Sequence, residues 1–73
     1  MREFACDLES FKKSTAKFID RCKDPSLTLD QLAGAKKALA IQFLNFEGSD
    51  LDAYQASIAL KLALDQYQSR LNS

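Results

Sequence analysis

The positions Phe4, Leu8, Phe11, Thr15, Phe18 and Cys22 follow one another at intervals of four, three, four, three and four. Between them lie Glu3, Asp7, Glu9, Lys12, Lys13, Lys17, Asp20 and Arg21. One narrow apolar stripe on an otherwise charged helix is the pattern of a helix seated against a helical neighbour. It predicts a first helix over 3–23, stopped by Pro25, because a proline disfavours the helical conformation of the residue before it. A second start follows at once. Thr28 is placed as an N-cap, Gln31 three positions on can reach back to it, and Leu27 and Leu32 sit where a hydrophobic staple would join. That helix is expected over 28–46, with Leu32, Leu39, Phe43 and Phe46 on its main face and Gly48 suited to a left-handed C′ position. A third helix is expected over 50–71, opened by Ser49 or Asp50 with the acidic Asp50 and Asp52 at the positive end of its dipole.

Short connections make three such helices an all-α, up-down-up antiparallel bundle, or an extended helical hairpin carrying an N-terminal helix. Either forms one domain over 1–73. The apolar surface exceeds what that arrangement needs. On the third helix, Leu51, Tyr54, Ile58 and Leu62 fall on one side, and Ala53, Ser57, Leu60, Leu64, Tyr67 and Leu71 form a second series on the opposite side. On the second helix, Ile41 and Leu44 spread over the flank and back. One side of each helix can meet the rest of the chain, and the other is left over unless both neighbours pack round the same helix. The series that runs to the C-terminal end is the expected outward one. The candidate partner-binding residues are therefore Ala53, Leu60, Leu64, Tyr67 and Leu71, with Ile41 and Leu44 beside them. Burying four of the large ones would contribute on the order of 6 to 10 kcal/mol before association costs. Leu64→Asp is expected to abolish association and leave the bundle intact.

Charge narrows the choice of partner. Ten Lys and Arg balance ten Asp and Glu, and neither half of the chain is one-sided. This argues against a nucleic-acid binder, whose affinity rests on neutralising phosphates, and against a polybasic membrane anchor. The residues Lys12, Lys13, Lys17, Arg21 and Lys23 are the basis of the alternative, a small nucleic-acid-binding or phage-type transcriptional regulator. No apolar run approaches the roughly 20 residues of a membrane span or forms a signal-peptide core, so the expected setting is the cytoplasm.

The chemistry-bearing residues are sparse. The chain has no His and two Gly, which leaves no imidazole base and no phosphate loop; no catalytic residue, cofactor or metal site is expected. Asp50 and Asp52 read as helix N-terminal charges. Cys6 and Cys22 stand sixteen positions apart in what reads as one helix, roughly 24 Å from each other, too far for a disulfide. Cys6 is expected to be exposed and Cys22 to be a small core residue.

The Gly48-Ser49-Asp50 turn followed by Tyr54-Gln55, with the helices on either side, resembles the small helical-hairpin co-chaperones of type III secretion needle subunits. In that family a short polar turn leads into a similar Asp-x-x-x-Tyr-Gln start of the last helix. The likeness covers roughly residues 31–71, and the long first helix and Pro25 depart from it. It implies a cytoplasmic protein that holds a second chaperone and keeps an aggregation-prone secreted subunit soluble. Taken together, the sequence leads to the expectation of a non-enzymatic, coiled-coil-like interaction module, chaperone-like or adaptor, that binds a helical protein or a second copy of itself.

Overall fold

The computed structural model describes residues 6–72. They form three helices: α1 (Leu8–Cys22), α2 (Leu29–Leu44) and α3 (Asp50–Leu71). α1 starts later than its apolar period suggests. Asp7 has an extended backbone (φ −89°, ψ 174°), and its carboxylate accepts the Ser10 N–H at 2.8 Å. A short acidic side chain satisfies an orphan helix donor better as a cap than from inside a helix. Cys6 is consequently outside the helix. Its N–H donates to the Asn45 carbonyl at 3.2 Å and its carbonyl accepts the Glu47 N–H at 2.9 Å, a single parallel bridge opposite Phe46. This bridge buries Cys6 and corrects the expectation of an exposed thiol. Glu3 and Phe4 lie outside the described residues.

The start of α2 is as expected. The Gln31 N–H donates to Thr28 Oγ1 at 3.2 Å, the Thr28 N–H donates to Gln31 Oε1 at 2.9 Å, and the half-buried Leu27 packs on the same core as the buried Leu32. Its end is two residues earlier than expected. Asn45 is the C-cap and turns its own Nδ2 back to the Ile41 carbonyl at 3.0 Å, so Phe46 leaves the helix for the bridge to Cys6. No glycine among the described residues has a positive φ, so Gly48 is not a left-handed cap. Its role is space: a Cβ there would lie 3.0 Å from Asp52 Cβ and 3.1 Å from the Phe46 ring. Ser49 then caps α3, its Oγ accepting the Asp52 N–H at 3.2 Å.

The helix ends that meet set the topology. Phe11, near the start of α1, lies 5.7 Å from Phe43 and 6.3 Å from Phe46 between ring centroids, at the end of α2. Phe18, near the end of α1, lies 6.3 Å from Tyr67, near the end of α3. α1 and α3 therefore run parallel with α2 antiparallel to both, an up-down-up bundle of 38 × 23 × 15 Å. The core joins large to small. α1 supplies Phe11, Phe18 and Cys22, α2 supplies Leu32 and Leu39, and α3 supplies Ala56 and Ala63, both fully buried. Alanines on α3 let its backbone approach the aromatic stripe of α1 closely, and α1 packs more extensively on α3 than on α2. Fully burying Phe11 and Leu32 contributes about 1.5–3 kcal/mol each. The one buried polar side chain among the described residues, Thr15, is satisfied by donating to the Lys12 carbonyl at 2.8 Å.

Arg70 closes the other end. Its guanidinium donates to the carbonyls of Cys22 at 3.1 Å and Asp24 at 2.9 Å, and also to that of Leu27. It thus ties the last turn of α3 to the loop between α1 and α2, taking up the Cys22 carbonyl at the end of α1 and sharing the Asp24 carbonyl with the Leu27 N–H, which donates to it at 3.3 Å.

Candidate functional site

The inward face of α3 is set by its alanines, and this decides which of its two apolar series is left outside. Ala56, Ala59 and Ala63 stand at intervals of three and four, with Leu60 and Tyr67 flanking them, and all five belong to or pack against the core. Their inward turn carries the other series outward. Leu51 and Tyr54 are each 64% exposed, Leu62 56% and Ile58 43%. Spaced three, four and four apart, these four side chains form a line of about 16 Å along the helix.

The candidate residues chosen from sequence divide accordingly. Leu60 and Tyr67 face the core, which corrects the expectation that they point outward. Tyr67 sits against Phe18 and carries Lys36 Nζ 5.0 Å from its ring centroid, a cation–π contact. Leu64 is half-buried, whereas Ala53 and Leu71 are exposed. On α2, Ile41 and Leu44 are exposed as expected, Leu44 at 82%. The physical reason for the reversal is complementarity of size. Counting large apolar side chains favours Leu60, Leu64, Tyr67 and Leu71 as a face. The aromatic rings of α1 instead need a partner face narrow enough to close on them, and only the alanine face offers that. The interval of three and four between Ala56, Ala59 and Ala63, matched to the Phe11–Phe18 stripe, is the signal that would have found it.

The remaining surface offers little enclosure. Between α1 and α2 lies an open groove of ≈ 190 Å³ lined by Phe18, Leu39, Ala35 and Ala38, with Lys17 and Arg21 at its rim. That is smaller than the roughly 300–1,000 Å³ of a small-molecule site. Lys12, Lys13, Lys17, Arg21 and Lys23 are all exposed. Asp52 is half-buried at the start of α3 and Asp50 is exposed. Among the described residues no three His, Cys, Asp or Glu side chains are grouped to hold a metal ion.

The shifted acidities are local. Desolvation by burial pushes both thiols up; the Asp7 charge adds to this for Cys6, and Arg70 opposes it for Cys22. Asp7 is held below its usual value by the hydrogen bonds from Ser10, and Asp24 by those from the Ser26 side chain and backbone. Each of these carboxylates is employed in a cap or turn. Both cysteines are free thiols at opposite ends of the bundle.

No helix of the described residues is long and apolar enough to cross a membrane. Set against protein-family models, curated proteins and solved structures, the chain matches none of them.

Proposed function

We propose that this chain is a non-enzymatic helical interaction module of the chaperone-like or adaptor kind, acting in the cytoplasm by docking the outer face of α3 on a helical partner. The observation that carries the reading is the exposed line Leu51, Tyr54, Ile58 and Leu62. Four large apolar side chains on one helix face, with Ile41 and Leu44 exposed on the neighbouring helix, exceed the isolated apolar residues of an ordinary surface. An amphipathic helix that offers such a line at three- and four-residue spacing is the usual element of helix-to-helix recognition. The resemblance to needle-subunit co-chaperones supports the same reading, since the exposed line lies within the region of likeness. In that form the partner is a second chaperone or a secreted subunit.

The test is a paired substitution. Ile58→Asp places a charge on the outer line and is expected to abolish association, read as mass by light scattering and as capture of partner, with far-UV circular dichroism unchanged. Leu60→Asp places a charge against the core and is expected to unfold the bundle. A wild-type chain that stays monomeric and captures no partner overturns the reading.

A further inference from the structure

We draw no further inference here: the strongest candidate, the open groove between α1 and α2 with Lys17 and Arg21 on one wall and Ala35 and Ala38 on the other, has its floor of Phe18 and Leu39 already buried by the chain itself, and nothing in the structure shows what covers it.

Discussion

Removing the Arg70 guanidinium should loosen the whole bundle, because one side chain holds three carbonyls of the α1–α2 connection. A hydrogen bond from a charged donor is worth roughly 1.5–3 kcal/mol where water is excluded. Arg70 is only half-buried, and at the exposed Asp24 water can take over the carbonyl. The loss in Arg70→Ala is therefore about 2–3 kcal/mol rather than three times the single-bond figure. A chain of this length has roughly 4–11 kcal/mol of stability in total. With a urea m-value of about 1 kcal/mol/M, the midpoint should fall by about 2–3 M. Arg70→Lys keeps the charge but presents a compact ammonium in place of a planar fork, and should recover less than half of the loss. Equilibrium urea unfolding followed by far-UV circular dichroism measures both. A loss under about 0.5 kcal/mol in Arg70→Ala, or an Arg70→Lys variant as stable as the wild type, would refute the reasoning.

Two glycines should respond in opposite directions. Gly34 lies inside α2 with nothing within 4 Å of an added Cβ, so Gly34→Ala should stabilise by about 0.5–1 kcal/mol in thermal melts. Gly48→Ala should destabilise by about 1–2 kcal/mol in the same assay, because Asp52 and the Phe46 ring must move. The acid limb of stability should carry the signature of Asp7. Its folded value is lowered from 3.8 by the bonds from Ser10, so the stabilisation it supplies is complete above that ordinary value and is lost as pH falls through the lower folded one. Asn caps a helix without titrating, so Asp7→Asn should make stability less steep with pH below about 4, measured by urea midpoints across an acid series.

The fold was largely legible because its local signals agree. The Thr28–Gln31 capping box, the break at Pro25 and the Phe11–Phe18 stripe each act within a few residues, and each stands in place. What escaped the pattern depends on partners distant in the chain. α1 starts only after Asp7 because Cys6 finds backbone partners in Asn45 and Glu47, a pairing no local window contains. Phe46 continues the period of α2 and is nonetheless drawn out of it by the same bridge. The orientation of α3 was ambiguous for a different reason. Its two large-residue series are nearly equivalent by hydrophobicity, and the choice between them is made by the size match of Ala56, Ala59 and Ala63 to the rings of α1. Arg70 gives no signal in the sequence because a lone arginine in the last turn of a helix has no pattern; its role exists only once the α1–α2 loop is brought beside it.

The orientation of α3 supports everything said of the outer surface, and two adjacent residues test it. Ala63 is fully buried and Leu62 is 56% exposed. At a concentration where the chain sediments as a monomer, urea unfolding should show Ala63→Leu destabilised by about 1–3 kcal/mol through overpacking, with Leu62→Ala within about 0.5 kcal/mol of the wild type. A tolerated Ala63→Leu together with a Leu62→Ala that loses about 2 kcal/mol or more, as a core leucine does, would mean that α3 is turned the other way and would contradict the account.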